Sequence, residues 1–80
     1  MKTNMIQETT TILVFQTNIE TEIQIKTLAL VLNSNVGIQK WNLDRHDVDK
    51  VLRVVTDTLL AEDVIQLLNN AGLFCAELPD

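Results

Sequence analysis

Hydrophobic residues follow two alternating periods along this chain of 80 residues. Thr11–Thr17 is rich in β-branched and aromatic residues, which is typical of a pleated strand. A spacing of i, i+3, i+4 and i+7 then places four apolar residues on one helix face: Ile25, Leu28, Ala29 and Leu32. Thr17 and Glu20 have the spacing of a capping box and predict the start of this helix. The short polar residues at 33–35 predict its end.

The same two periods return in the second half of the chain. Strands are predicted at Ile38–Asp44 and at about residues 50–56, with a polar turn at residues 45–47. Thr58 is the predicted N-cap of a second helix, whose first turn is acidic at residues 62 and 63. The apolar stripe of this helix consists of Leu60, Val64, Leu67, Leu68 and Ala71. Gly72 can adopt the positive φ that ends a helix, and residues 73–78 form the predicted last strand.

The resulting order, β-α-β-β-α-β, predicts the fold class. Right-handed crossovers place both helices on one face of a four-stranded antiparallel sheet, which is the α+β ferredoxin-like sandwich. We expect one domain over residues 11–80, and a polar N-terminus that frays over residues 1–10.

Composition and charge exclude several classes of function. Six Lys and Arg against eleven Asp and Glu give a net charge of −5, and no basic cluster is available to bind nucleic acid. No apolar run approaches the ~20 residues that span a bilayer, so no membrane association is expected. One Cys and one His exclude an internal disulfide and a Cys-rich metal site. The expected location is the cytoplasm.

Three segments, taken in order, resemble the heavy-metal-associated domain family, the fold of small copper chaperones and of the soluble modules of metal-pumping ATPases. GIQKWNLD at residues 37–44 is similar to the family's second strand, Gly-Val-x-x-Val-x-Val-Asp. KVLRV at residues 50–54 is similar to its third strand. NNAGLFCAEL at residues 69–78 resembles its Ala-Gly-Tyr helix ending and the strand that follows. The resemblance extends over about residues 12–78 and implies the same fold.

The family's metal site is a Met-x-Cys-x-x-Cys motif at the start of the first helix. Counting back from Gly37 and Leu32, the resemblance places Ile19 at the Met, and Thr21 and Gln24 at the two Cys. A hydroxyl and an amide are poor ligands for soft Cu(I), which favours thiolates and thioethers. The resemblance therefore implies a degenerate member that keeps the fold and lacks the Cys-x-x-Cys metal site, with no cofactor expected.

The polar loop at residues 16–24 has two interpretations. It occupies the place of the family's site, so four side chains could contact a polar ligand or partner: Asn18, Glu20, Thr21 and Gln24. Capping of the helix by Thr17, Asn18 and Glu20 uses nearly the same residues and is the favoured interpretation.

Cys75 is the single thiol, and it could act as a lone metal ligand, a redox-sensitive thiol or an intermolecular disulfide partner. No His, Lys or Arg lies nearby in sequence to depress its pKa, so a small buried residue on the last strand is favoured. The metal-binding alternative would combine Cys75 with Met1, Met5 or His46.

A cluster of hard ligands lies between the second and third strands: Asp44, His46, Asp47 and Asp49. The cluster lacks the Gly and the distant Glu of a calcium-binding loop, and one His with carboxylates is a weak zinc set. A solvated turn is the favoured interpretation.

The sheet face that turns away from the helices is the strongest functional clue. Alternation puts Leu13 with Phe15, and Leu52 with Val54, on one side of their strands, and this side is taken to face the helices. The register that the resemblance implies places Trp41 and Leu43 on the same side. Five apolar residues are then predicted on the opposite face, where polar residues are expected: Ile12, Val14, Val51, Val55 and Phe74. Such a cluster predicts a protein–protein surface, for another protein or for a homodimer.

No catalytic arrangement is present in the sequence, which has no Ser–His–Asp set, no phosphate loop and no second His or Cys. We therefore expect no enzyme activity. The predicted function is a small binding or interaction module that resembles a heavy-metal-associated domain and self-associates through the outer sheet face. Two alternatives stay open: a metal-transport protein with ligands outside the motif, such as Cys75, and a small-molecule sensing module of ferredoxin-like fold.

Overall fold

Strands and helices alternate along the chain in the predicted order. The computed structural model describes residues 10–79. Within this range the elements are β1 (Thr11–Thr17), α1 (Glu22–Asn33), β2 (Ile38–Asp44), β3 (Val51–Thr56), α2 (Ala61–Asn70) and β4 (Cys75–Glu77). The bounds of β1 and β2 match the prediction to the residue. The predicted frayed segment lies outside the described residues except for Thr10, and so do Met1 and Met5.

The strands form a sheet in the order β2-β3-β1-β4, in which each pair of neighbours is antiparallel. Phe15 on β1 lies opposite Leu52 on β3, and Trp41 on β2 lies opposite Val54, which is also on β3. Partners that lie opposite each other share a face of the sheet. The register therefore places the aromatic and aliphatic residues predicted to face the helices on one side.

Both helices cover this one face. The buried core contains residues from each helix together with residues from a single side of the sheet: Phe15, Ile19, Leu28, Leu32, Leu52, Val54, Val64, Leu68, Leu73 and Cys75. Trp41 and Leu43 pack against this core, as predicted. Trp41 Nε1–H also donates to Asn33 Oδ1 at 2.9 Å, which links β2 to the end of α1. The predicted α+β ferredoxin-like sandwich is confirmed.

The strands β3 and β4 are shorter than predicted. Lys50 has a φ of 47°, a left-handed conformation that interrupts the chain just before β3. Leu73 N–H donates to Leu68 O at 2.9 Å, so it closes α2 and does not extend β4. Gly72 has the predicted positive φ, 81°, and its N–H donates to Asn69 O at 3.0 Å. These two bonds form a Schellman motif that ends the helix.

The start of α2 differs from the prediction. The helix follows Leu60, whose N–H donates to Asp63 Oδ2 at 2.8 Å, and Leu60 is 62% exposed and does not join the apolar stripe. Thr58 does not cap the helix. Its N–H donates to Thr56 Oγ1 at 3.2 Å, and the same buried hydroxyl donates to Gly37 O. Thr56 thus binds the β3–α2 connection to the start of β2, and the helix begins only after this connection.

Candidate functional site

The loop between β1 and α1 is organised by a capping box at Thr21 and Gln24. Thr21 Oγ1 accepts a hydrogen bond from Gln24 N–H at 3.1 Å. Gln24 Oε1 accepts from Thr21 N–H at 3.0 Å and from Glu20 N–H at 2.8 Å. Two side chains therefore satisfy three backbone amides around the helix start. The prediction that Thr17 and Glu20 form the box is wrong, because the box lies four residues later.

Thr17 does not cap α1 because the sheet uses its hydroxyl. It is the last residue of β1, and its Oγ1 donates to Lys50 O at 2.7 Å and accepts from Ile19 N–H at 3.2 Å. Ile19, which the resemblance places at the Met of the family motif, is fully buried in the core. The loop is therefore anchored by a buried apolar side chain before it enters the helix.

The two other predicted loop residues face solvent. Asn18 is exposed, and the Glu20 carboxylate lies 3.8 Å from Lys50 Nζ with its side chain 70% exposed. Exposed pairs of this kind contribute at most about 1 kcal/mol. Capping accounts for the contacts of Thr21 and Gln24, whereas contact of this loop with a ligand stays a prediction.

Cys75 lies in the core on β4, opposite Thr17 at the end of β1. Its side chain is buried, with 5% of the residue exposed. Desolvation by this burial raises the pKa of the thiol to about 12, so the neutral thiol is the stable form at physiological pH. A buried neutral thiol is a poor nucleophile and a poor metal ligand, because both roles need the thiolate.

The acidic turn between β2 and β3 uses its carboxylates to bind its own backbone. Asp44 Oδ1 accepts from His46 N–H at 3.1 Å, and Asp47 Oδ1 accepts from Asp49 N–H at 2.8 Å. Arg45 pairs with Glu22 on α1 at 3.4 Å. In the described part of the chain, no group of three His, Cys, Asp or Glu residues is placed to hold a metal ion. These bonds are typical of a solvated turn.

The outer sheet face, defined as the side away from the helices, has the predicted register. Ile12 lies opposite Val55 across β1 and β3, and Val14 lies opposite Arg53. Ile12 is 61% exposed, and Val14 and Val55 are partly exposed. Three apolar side chains therefore lie together with Arg53 on the open side of the two interior strands, β1 and β3.

Two residues of the predicted surface differ from this group. Val51 lies on the outer face by register, opposite Asp44, but only 6% of it is exposed. Val51 therefore adds almost nothing to an accessible surface. Phe74 is 49% exposed and directly precedes β4 at the edge of the sheet, so it lies apart from β1 and β3. Whether these residues bind a partner stays a prediction.

A shallow groove on the outer face contains two basic residues that the sequence analysis did not single out. The groove is lined by Ile12, Lys40, Trp41, Asn42, Arg53 and Val55. Lys40 lies opposite Val55, and Arg53 lies between Asn42 and Val14. The same alternation that places Val55 on this face also places Lys40 and Arg53 there. The basic character of the groove could therefore have been predicted from the sequence.

No helix within residues 10–79 has the length and apolar character needed to cross a membrane.

Comparison with known proteins identifies the fold. No protein-family model matches the chain, and no curated protein sequence is significantly similar to it. The apo form of the heavy-metal-associated domain of a copper chaperone for superoxide dismutase superposes with a TM-score of 0.77 at 19% identity, covering 99% of this chain and 79% of that one. The copper(I)-loaded first domain of the human copper chaperone for SOD1 gives 0.72 at 20%, covering 88% and 94%. The yeast copper transporter domain Ccc2a gives 0.71 at 17%, covering 86% and 96%. At these identities the likeness shows a heavy-metal-associated fold.

Proposed function

We propose that this chain is a small, non-enzymatic interaction module that has the heavy-metal-associated fold and works without a thiolate metal site. The capping box at Thr21 and Gln24 carries the proposal. The resemblance assigns these two positions to the cysteines of the family motif, and both side chains bind backbone amides at the helix start. A hydroxyl oxygen and an amide oxygen that already accept backbone hydrogen bonds offer little to a soft metal ion.

The state of Cys75 supports the same proposal. The thiol is packed in the core, and its raised pKa keeps it protonated at physiological pH. Binding of Cu(I) by Cys75 would require the thiol to lose its proton and β4 to move away from the core. The structural neighbours named for copper make metal binding the natural competing function, so the first experiment addresses it directly.

The metal experiment is a titration of the reduced protein with Cu(I), in competition with a chromogenic chelator, and with Zn(II). Wild type and Cys75→Ala are compared, each shown to be folded by circular dichroism. We expect no stoichiometric binding by either protein. One equivalent bound by the wild type and lost in Cys75→Ala would replace the proposal with a metal-handling function that uses the thiol.

The non-enzymatic part of the proposal is supported by the placement of the two most reactive residue types. His46 lies on the exposed turn between β2 and β3, where its backbone N–H is bound by Asp44. Cys75 is buried on β4. A nucleophile and a general base must lie within hydrogen-bond reach of each other, and one of these two residues is on the surface while the other is in the core.

The interaction part rests on the outer sheet face, which presents Ile12, Val14 and Val55 next to one another. Self-association is one form of such binding, and sedimentation velocity between 20 µM and 1 mM tests it. Ile12→Lys introduces a charge on this face, and Ile23→Lys is the matched control because Ile23 is 78% exposed on α1. A homodimer formed through the outer face would be lost in Ile12→Lys and kept in Ile23→Lys.

A further inference from the structure

The charge of the groove on the outer face differs from that of the whole chain. The whole chain carries −5, whereas the groove around Ile12 and Val55 contains Lys40, Arg53 and no acidic residue. Both basic residues are exposed, and neither forms an ion pair within residues 10–79. The register also places one acidic residue on this face, Asp44, which lies diagonal to Arg53 on the side away from Lys40 and does not line the groove. At physiological ionic strength charges are screened beyond about 8 Å, so a ligand at the Lys40 end of the groove interacts mainly with the two cations.

The register fixes the spacing of the two cations. Lys40 lies opposite Val55 and Arg53 lies opposite Asn42, so the two basic residues are diagonal neighbours on β2 and β3. Diagonal neighbours of an antiparallel pair are about 8 Å apart. Val55 lies beside Lys40 and Ile12 lies beyond it, so the groove has apolar contacts next to a pair of positive charges.

A second copy of this chain fits the groove poorly. In a two-fold symmetric dimer that places groove on groove, Lys40 and Arg53 of each copy meet the same cations of the other. Nucleic acid also fits poorly, because it needs a larger cluster of basic residues than two. A short segment of another protein with carboxylates beside an apolar side chain matches both the charges and the apolar contacts.

We infer that the groove formed by Ile12, Lys40, Arg53 and Val55 binds an acidic, amphipathic segment of a partner protein. Residues at i and i+4 on one face of a helix have Cβ atoms about 6 Å apart, so two carboxylates at this spacing are close enough for each to reach one of the two flexible cations. An apolar side chain at i+3 then contacts Ile12 and Val55. This inference rests on the proposed function, because it names the class of partner for the same outer face.

The test uses helical peptides of 16 residues and the wild-type protein labelled for nuclear magnetic resonance. The first peptide repeats Glu at i and i+4 with Leu at i+3, the second has Lys for each Glu, and the third has Ala for each Leu. We expect the first peptide to shift amide signals of β1, β2 and β3, with a dissociation constant on the order of 100 µM, as befits a small interface. The second and third peptides should bind at least five-fold more weakly.

Charge-reversal variants locate the site. Arg53→Glu and Lys40→Glu should each weaken the first peptide at least five-fold, and rising salt should weaken its binding to the wild type. Lys26→Glu is the matched control, since Lys26 is exposed on α1 and has no ion pair within residues 10–79, and it should change affinity less than two-fold. Equal binding of the basic peptide, equal effects of Lys26→Glu and Arg53→Glu, or no binding of the first peptide would overturn the inference.

The outcomes separate this inference from the proposed function. A homodimer that is lost in Ile12→Lys would overturn the acidic partner and leave an interaction module standing. Binding of a single-stranded oligonucleotide in preference to the acidic peptide would overturn both the partner class and the interaction with protein. Stoichiometric Cu(I) binding by the wild type would overturn the proposed function, whatever the peptides do.

Discussion

Substitution of Thr21 by Ala should destabilise the domain by removing the first half of the capping box. The structure shows one bond from the Thr21 side chain, accepted from Gln24 N–H at 3.1 Å. Loss of a Thr N-cap costs about 1 kcal/mol. For a domain of this size, 1 kcal/mol lowers Tm by roughly 4–8 °C. With a urea m-value of about 1 kcal/mol per molar, the midpoint should fall by about 1 M.

The matched control is Thr27→Ala in the same helix. The Thr27 hydroxyl donates to Ile23 O at 2.9 Å, a bond to the preceding turn that does not satisfy a free amide of the helix start. Ala is the better helix former by up to about 0.7 kcal/mol. Thr27→Ala should therefore keep or raise Tm, whereas Thr21→Ala lowers it.

Urea and thermal unfolding of the two variants can be followed by circular dichroism and by the fluorescence of the single Trp41, which contacts the end of α1 through Asn33. A double-mutant cycle with Gln24→Ala adds a second readout. Because both side chains order the same turn, Gln24→Ala should lower the free energy of unfolding less in the Thr21→Ala variant than in the wild type. Equal stability of Thr21→Ala and Thr27→Ala would show that the Thr21 side chain does not stabilise the helix start, and Thr21 would then be free for contact with a ligand.

Three further substitutions test the contacts of Thr56, the backbone at Gly72 and the burial of Cys75. Thr56→Val removes a buried hydroxyl that bonds Gly37 O and two backbone amides, and it should lower the free energy of unfolding by about 2–4 kcal/mol in urea denaturation. Gly72→Ala should cost about 1–2 kcal/mol in the same assay, because φ is 81° there and a Cβ meets no atom within 4 Å, so the cost is the backbone conformation alone. For Cys75, whose pKa rises from 9.0 to about 12 on folding, the unfolded chain loses its proton first as pH rises. Wild type should therefore lose up to about 1.4 kcal/mol of stability per pH unit between pH 9 and 12, relative to Cys75→Ala, and parallel pH profiles of the two proteins would contradict the buried thiol.

Strand β1 could be predicted to the residue because a run of β-branched and aromatic side chains ends at a polar loop. Strand β2 could be predicted because Trp41 and Leu43 alternate with polar residues before a polar turn. The start of α1 could not. Thr17 with Glu20 and Thr21 with Gln24 both have the spacing of a capping box, and local chemistry allows either. Pairing of Thr17 with Cys75 and its bond to Lys50 O hold it in the sheet, and these contacts join residues far apart in sequence.

The extent to which each residue of the outer face is buried could not be predicted from the sequence either. Alternation places Val51 and Val55 on the same side of β3, and the register agrees. It does not show that Val51 is covered while Val55 stays partly exposed, since that depends on the neighbouring strands. The basic character of the groove follows from the same alternation, once Lys40 and Arg53 are counted with the apolar residues.

We propose that helix capping at Thr21 and Gln24 occupies the positions of the thiolate site on this heavy-metal-associated fold. The most direct test is a Cu(I) titration of the wild type beside the double variant Thr21→Cys/Gln24→Cys, both reduced and shown to be folded. We expect no stoichiometric binding by the wild type and one Cu(I) per chain for the double variant. One equivalent bound by the wild type, or none by the folded double variant, would contradict it.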